Sequence, residues 1–224
     1  MNVPGIVLPL AYRLSRHFWL GWTLARWFGL LILALGVWAL IYCWPAPWPP
    51  VAAVTLLIVY VGTLAWARRT GYVRYARLPD GEQQLEEQKT PPPLRKEELV
   101  PARVSGWFTV EGRNQYYVDV EADFETVGTR EHIVLGRIHP SRFLVLGNWP
   151  EYELGWWYVF FRPEMIRKVD VGQLISSPRP QRALRVVYTP DNETEQMVYL
   201  TTNDSTSLRR IWDDLLRDAP QEGS

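Results

Sequence analysis

The chain of 224 residues has 24 basic and 24 acidic side chains, three histidines and one cysteine. A single cysteine excludes a disulfide scaffold within the chain. His17, His132 and His139 lack the spacing of metal ligands, and no glycine-rich phosphate loop is present. We therefore expect no metal site, no cofactor and no catalysis, and no nucleic-acid partner.

Charge is distributed unevenly along the chain. The first 78 residues contain seven arginines and no acidic residue, whereas the rest contains 17 basic and all 24 acidic side chains, so that the two parts carry +7 and −7. This asymmetry indicates a membrane segment followed by one soluble domain. The predicted division is an N-terminal segment (1–26), a membrane hairpin (27–67), a juxtamembrane segment and linker (68–100), a folded domain (101–218) and a tail (219–224).

The N-terminal segment has the pattern of an amphipathic helix. Between Leu8 and Trp22, apolar side chains recur at intervals of four residues, with basic side chains between them. We expect such a helix to lie on the cytoplasmic leaflet, either as a simple anchor or as a contact for anionic lipid.

The next segment predicts a membrane hairpin. No charged side chain occurs in the 41 residues between Arg26 and Arg68, and the proline-rich stretch 45–50 divides them. A span needs about 20 apolar residues, so two spans fit, at 27–44 and 51–67. Arginines lie outside both spans, which predicts cytoplasmic termini and a cytoplasmic domain, in the inner or plasma membrane. The predicted anchors at the membrane surfaces are Arg26, Trp27, Trp44, Trp48, Trp66, Arg68 and Arg69.

Two other interpretations of the apolar segment are disfavoured. A cleaved signal peptide needs small residues after its apolar core, whereas Cys43, Trp44 and Pro45 follow here, with a second span behind them. A lipoprotein signal needs a small residue before the acylated cysteine, whereas Tyr42 precedes Cys43.

Residues 78–99 are polar and contain three consecutive prolines, Pro91 to Pro93. This composition predicts a stiffened, solvated linker.

After Pro101 the pattern becomes that of antiparallel strands, with short runs of β-branched and aromatic residues between turn residues. Apolar side chains occupy the even positions from Tyr116 to Phe124, which predicts that these positions share one face. The predicted strands are 104–110, 115–124, 132–138, 141–146, 155–162, 165–171, 183–189 and 196–202.

One amphipathic helix closes the domain. Asp204 and Ser205 are candidate N-caps, and Asp213 and Asp214 are expected on its polar face. The apolar positions at helical spacing are Leu208, Ile211, Trp212, Leu215 and Leu216. Strands followed by a single helix, without βαβ alternation, predict a small barrel plugged at one end.

The order of elements from Val104 to Arg217, with Trp212 in the last helix, resembles the pleckstrin-homology-like (PH-like) fold. The segment from Phe160 to Val169 is similar to strand-turn-strand segments of bacterial relatives, several of which carry a two-span hairpin. The resemblance implies a seven-stranded barrel or sandwich capped by the C-terminal helix, with Trp212 in a structural role inside the barrel. It does not by itself imply a function.

Two sets of residues are candidates for binding. Relatives that bind phosphoinositides place basic residues near the first hairpin loop, where this chain has Arg113, with Arg103 upstream. A separate basic patch around Pro178 and Pro180 adds three further candidates for a lipid headgroup, Arg179, Arg182 and Arg185. Aromatic residues are enriched in protein interfaces, and the candidates for a protein partner are Trp149, Tyr152, Trp156 and Trp157.

We therefore expect a non-enzymatic membrane-anchored adaptor or scaffold of bacterial type, whose cytoplasmic PH-like domain binds a protein partner. One alternative is a module that binds lipid headgroups. Another is an accessory subunit of a larger membrane complex, which acts through its spans.

Overall fold

The computed structural model describes residues 4–42, 48–88, 91–92, 94–95, 98–110, 113–127, 131–138, 155–162, 164–176, 179–189 and 194–218. The helices are α1 (Pro4–Arg16), α2 (Leu24–Tyr42), α3 (Trp48–Thr70), α4 (Gly81–Glu86) and α5 (Ser205–Asp218). The strands are β1 (Phe18–Trp19), β2 (Trp22–Thr23), β3 (Arg74–Arg77), β4 (Val100–Val110), β5 (Arg113–Val127), β6 (Glu131–Ile138), β7 (Gly155–Phe161), β8 (Ile166–Ile175), β9 (Gln181–Tyr188) and β10 (Gln196–Thr201).

Two apolar helices pack against each other as a hairpin. Helices α2 and α3 are long and apolar enough to cross a membrane, judged by length and composition. They close in at Gly36, where an added Cβ would lie 3.1 Å from the Cβ of Ala53. Helix α2 begins three residues before the predicted span 27–44, and α3 extends beyond the predicted span 51–67 at both ends.

The N-terminal helix differs from the prediction of a helix over residues 8–22. Helix α1 begins at Pro4, at the first helical position, where a missing N–H costs little. It ends at Arg16, and strands β1 and β2 then form a small hairpin before α2 begins. The four-residue spacing of apolar side chains from Leu10 to Trp22 therefore does not correspond to one helix, because the helix ends at Arg16.

The part of the chain after α3 is built on one antiparallel sheet of eight strands, in the order β3-β8-β9-β10-β4-β5-β6-β7. The prediction of a mainly-β domain closed by a C-terminal helix is confirmed. Among the residues that the structure describes, the sheet is open, with β3 and β7 at its edges, and no pairing closes it into the predicted barrel. The predicted strand at 141–146 lies outside the described residues.

A β-bulge changes which residues of β5 face the core. Val104 pairs with Val120 but Gly106 pairs with Tyr117, so β5 has one more residue than β4 between these pairs. Asp119 has a φ of 57° at this point, and its N–H donates to the Ser105 hydroxyl at 2.8 Å. An extra residue reverses the side-chain alternation. Tyr116 therefore lies on the opposite face from Phe124, and the prediction that they share a face is wrong.

The main core lies between the sheet and α5. The apolar stripe of α5 is buried at Leu208, Ile211, Trp212 and Leu215, whereas Leu216 is exposed. Opposite it lie inward-facing residues of the sheet, among them Tyr117, Phe124, Ile166, Val186 and Leu200.

Part of the segment predicted as a linker lies within this fold. Leu85 of α4 is fully buried in the main core, and Leu94 packs against the same core. Glu98 accepts a hydrogen bond from the Arg210 guanidinium at 2.7 Å. That bond, with the Arg95 N–H, lowers the pKa of Glu98 to about 2. These contacts tie the polar segment to α5.

Candidate functional site

The sheet face opposite α5 is covered where it contacts α1 and the end of α3. We call this contact the docking cluster, and its buried members are Leu8, Ala11, Tyr12, Ala67, Tyr72, Val73, Tyr116, Leu174 and Ala183. The cluster includes residues of α1, α3, β5, β8 and β9. It joins the hairpin to the sheet through a second apolar core.

Aromatic rings form the centre of the docking cluster. The Tyr72 ring lies 5.4 Å from the Tyr12 ring and 5.7 Å from the Tyr116 ring, both edge-on. Such pairs contribute about 0.5–1.5 kcal/mol beyond their buried area. Gly71, with a φ of +87°, turns the chain from α3 toward β3, and an added Cβ there would lie 2.8 Å from the Tyr116 ring. Burial raises the pKa of the Tyr116 hydroxyl.

Arg16, at the end of α1, adds a polar contact to the docking cluster. Its guanidinium donates to the Tyr116 carbonyl at 2.7 Å. The same group lies 4.7 Å from the centre of the Tyr117 ring. Arg16 therefore holds the helix end over β5 by a hydrogen bond and a cation–π contact.

A buried carboxylate, Asp170, lies in β8, four residues before Leu174 of the docking cluster. Its side chain is 1% exposed. The Arg185 Nε donates to Asp170 Oδ2 at 2.9 Å, while Arg77 Nε and Lys168 Nζ lie 3.5 Å and 3.4 Å from Oδ1. The Arg185 guanidinium also lies 4.8 Å from the centre of the Tyr75 ring.

We call Asp170 and its three basic neighbours the Asp170 ion cluster. This cluster connects the edge strand β3 to β8 and β9. Arg77 comes from β3, Lys168 and Asp170 from β8, and Arg185 from β9. Burial, and then the negative charge of Asp170, raise the pKa of Tyr75. Removing one partner of a buried ion pair leaves an uncompensated charge and is strongly destabilising. The geometry thus gives these groups a structural task, and no cluster of metal-ligand type occurs among the residues that the structure describes.

The arginines predicted to bind a lipid headgroup are distributed over several strands. Arg103 contacts the Asp119 carboxylate at 2.6 Å, and Arg182 donates to Gln84 Oε1 at 2.7 Å. Arg185 belongs to the Asp170 ion cluster. Arg179 is exposed just before β9, and Arg113 is the first residue of β5. Arg103, Arg182 and Arg185 therefore contact oxygen atoms of this chain.

The residues predicted to bind a protein partner fall on or near an edge strand. Trp149 and Tyr152 lie outside the described residues, whereas Trp156 and Trp157 lie in β7. Trp157 pairs with Gly136, which pairs with Ala122 of the main core. Because directly paired positions share a face, position 157 belongs to the face of α5 and position 156 to the opposite face.

The predicted membrane anchors lie at the ends of the helices. Trp48 is the first residue of α3 and is 72% exposed. The Arg74 guanidinium lies 5.1 Å from the centre of the Trp66 ring, near Arg68 and Arg69 in the last turn of α3. Arg26 and Trp27 lie in the first turn of α2, and Trp44 falls outside the described residues.

Trp212 and two acidic residues of α5 complete the set of residues singled out in the sequence. Trp212 is buried in the main core, with the Arg209 guanidinium 4.7 Å from its ring centre. Asp213 pairs with Arg209 at 2.9 Å. Asp214 is buried and accepts a hydrogen bond from Thr126 at 2.8 Å, so its predicted place on the polar face is wrong.

Comparison of the chain with protein-family models, with curated proteins and with solved structures finds no match.

Proposed function

We propose that the chain is a membrane-anchored adaptor without catalytic activity, in which α2 and α3 cross the bilayer and the PH-like sheet domain binds a protein partner on the cytoplasmic side. The observation that carries the proposal is the position of β7 at the edge of an open sheet. Among the described strands, β7 pairs on one side, with β6.

An edge strand of this composition favours a protein as the ligand. Residues 155–161 contain aromatic and β-branched side chains after Gly155, with no charge and no proline. Natural edge strands are normally protected by charged residues or proline, because a bare edge pairs with other chains. Strand addition uses such an edge for peptide recognition, with specificity from alternate side chains. Of the two candidates in this strand, position 156 lies on the face opposite α5 by backbone register, so Trp156 is the residue to vary.

The contacts of the arginines argue against a lipid-headgroup module. Headgroup binding needs basic side chains that converge on phosphate oxygens. Arg103 and Arg185 instead contact Asp119 and Asp170 of the same chain. A net charge of −7 over residues 79–224 also disfavours an approach to anionic lipid.

One observation supports the second alternative, an accessory subunit that acts through its spans. An apolar groove of about 190 Å³ lies between α2 and α3. Its lining residues are Ile32, Leu33, Gly36, Val37, Leu40, Pro50, Ala53, Val54 and Leu57. A third helix that packs into this groove would make contacts of the small-residue type.

The test compares two alanine variants of the full-length chain in mild detergent. Trp156→Ala changes the edge strand, and Met197→Ala removes an exposed apolar side chain of the central strand β10 as a matched control. Proteins that co-purify with wild type and Met197→Ala, but not with Trp156→Ala, would support an adaptor that binds through β7. Equal recovery with all three chains would contradict it. A third variant, Gly36→Leu, changes the groove between α2 and α3. Loss of partners with this variant, but not with Trp156→Ala, would favour the accessory subunit.

A further inference from the structure

Helix α1 has two apolar faces, and only one of them contacts the sheet. Leu8, Ala11 and Tyr12 are buried in the docking cluster. Ile6 and Leu10 are 44% and 54% exposed. At about 100° per residue, they lie about 160° around the helix from Leu8, on the opposite side. This second face of α1 also carries Arg13, which is exposed.

The β1–β2 hairpin, which follows α1, presents an apolar tip. Its turn residues, Leu20 and Gly21, have φ values of 50° and 77°, as a two-residue turn of type I′ requires. Leucine is uncommon in this conformation, where asparagine or glycine is preferred. Leu20 is nevertheless 74% exposed, between Trp19 and Trp22, which are also exposed. Packing within the chain does not explain a leucine at this position.

The tip is fixed to the first apolar helix. The Trp27 ring of α2 lies 5.2 Å from the Trp19 ring and 5.8 Å from the Trp22 ring. Its indole N–H donates to the Trp19 carbonyl at 2.9 Å. The Leu24 N–H donates to the His17 carbonyl at 2.8 Å. The β1–β2 hairpin is therefore packed against the first turn of α2.

Composition and position together identify the ligand of this surface as a bilayer. Tryptophan is enriched at membrane interfaces, where one part of the ring is apolar and the N–H is polar. The exposed Arg13 and Arg26 lie beside the second face of α1 and the tip, and no acidic residue precedes Asp80. Each basic side chain near an anionic leaflet contributes about 1 kcal/mol. The surface is also continuous with α2, which begins one residue after β2.

We propose that the second face of α1 and the tip at Trp19–Trp22 insert together at the boundary between the headgroups and the acyl chains of an anionic leaflet. The inference rests on the proposed function, because it requires α2 and α3 to cross the bilayer. Helix α1 is then a layer between the bilayer and the sheet, with one face in each. The sheet domain is held directly at the membrane surface, rather than on a long tether.

Nitroxide labels on the full-length chain test the insertion depth. In a Cys43→Ser background, single cysteines replace Leu10, Leu20, Leu35 in the middle of α2, and the exposed Glu195 before β10. The chain is reconstituted in vesicles of phosphatidylcholine and phosphatidylglycerol. Power saturation with oxygen and with a water-soluble nickel chelate then gives the depth of each label. We expect Leu35 to be deepest, Leu10 and Leu20 to lie about 5–10 Å below the phosphates, and Glu195 to be in water.

Each contrary outcome has a distinct meaning. A deep Leu35 label, with Leu10 and Leu20 as accessible to nickel as Glu195, would overturn the insertion and leave the membrane hairpin intact. A Leu35 label in water would overturn both proposals. Dipolar broadening at Leu20 that disappears on dilution with unlabelled chain would show a second copy on the tip, and would also overturn the insertion.

Discussion

Asp204 fixes the start of α5 through its carboxylate. Oδ1 accepts the Ser207 N–H at 2.7 Å, and Oδ2 accepts the Ser207 hydroxyl at 2.8 Å. We expect Asp204→Ala to lower the free energy of unfolding by about 1 kcal/mol at pH 7, because an N–H at the helix end loses its acceptor. Urea unfolding in detergent micelles, followed by circular dichroism, measures the change.

The pH dependence of this cap has a definite sign. Hydrogen bonds from Ser207 lower the pKa of Asp204 in the folded chain. The stabilisation is therefore fully present above the unfolded pKa of about 4, and is lost as the pH falls through the folded pKa. Asp204→Asn keeps an N-cap acceptor without a titrating group, so it should match wild type closely at pH 7. A cost of Asp204→Ala that does not decrease as the pH is lowered below about 4 would contradict this account.

Residues differ in how well the sequence predicts their roles. Asp204 was predictable because a cap is a contact between neighbours in the chain. The face of Tyr116 was not, because the bulge at Asp119 depends on Ser105 and Gly106 of another strand. An added Cβ at Gly106 would lie 2.5 Å from the Met197 carbonyl oxygen. The neighbouring strand β10 therefore also limits which residue can occupy position 106. Asp170 was not singled out from the sequence, although a charge between two valines is unusual in a strand, because its cationic partners come from three strands.

Helix α4 shows why a polar composition can hide an element of the core. Its six residues contain one buried apolar side chain, Leu85. We expect Leu85→Ala to destabilise the sheet domain by about 2–5 kcal/mol, through lost burial and the cavity left behind. Glu86→Ala, at the exposed neighbouring position, is the matched control and should stay within about 0.5 kcal/mol of wild type. Urea unfolding followed by tryptophan fluorescence compares the two, and equal midpoints would contradict the burial of Leu85 in the core.

The regular elements were predicted from local periodicity, whereas the connections between them were not. Helices α2, α3 and α5 and most strands repeat a simple pattern of apolar residues. Strand β3 is four residues long, with two arginines, and it is stabilised by pairing with β8 about a hundred residues later. Helix α1 was predicted with one apolar face, but a second apolar face is visible only once the sheet is in place.

At the scale of the whole chain, the docking cluster makes the hairpin and the sheet parts of one structure. A chain that begins at residue 100 lacks β3, Leu85, and the members of the docking cluster that come from α1 and α3. Tyr116, Leu174 and Ala183 would then lose their cover, and an apolar patch would be exposed. Binding experiments on the isolated domain would therefore report on an altered sheet face, and only the full-length chain presents the native one.

The orientation in the membrane can be measured with the single cysteine. Cys43 lies between α2 and α3 in sequence, whereas Glu195 lies in the sheet domain. Because arginines flank the hairpin only at its open end, the positive-inside rule predicts that segment 43–47 crosses the bilayer and that both termini stay in the cytoplasm. A membrane-impermeant maleimide should label Cys43 in intact cells. It should label Glu195→Cys, in a Cys43→Ser background, only after permeabilisation. The reverse pattern would place the sheet domain outside the cell, where a cytoplasmic partner could not reach β7. Labelling of both sites in intact cells would contradict a hairpin that crosses the bilayer.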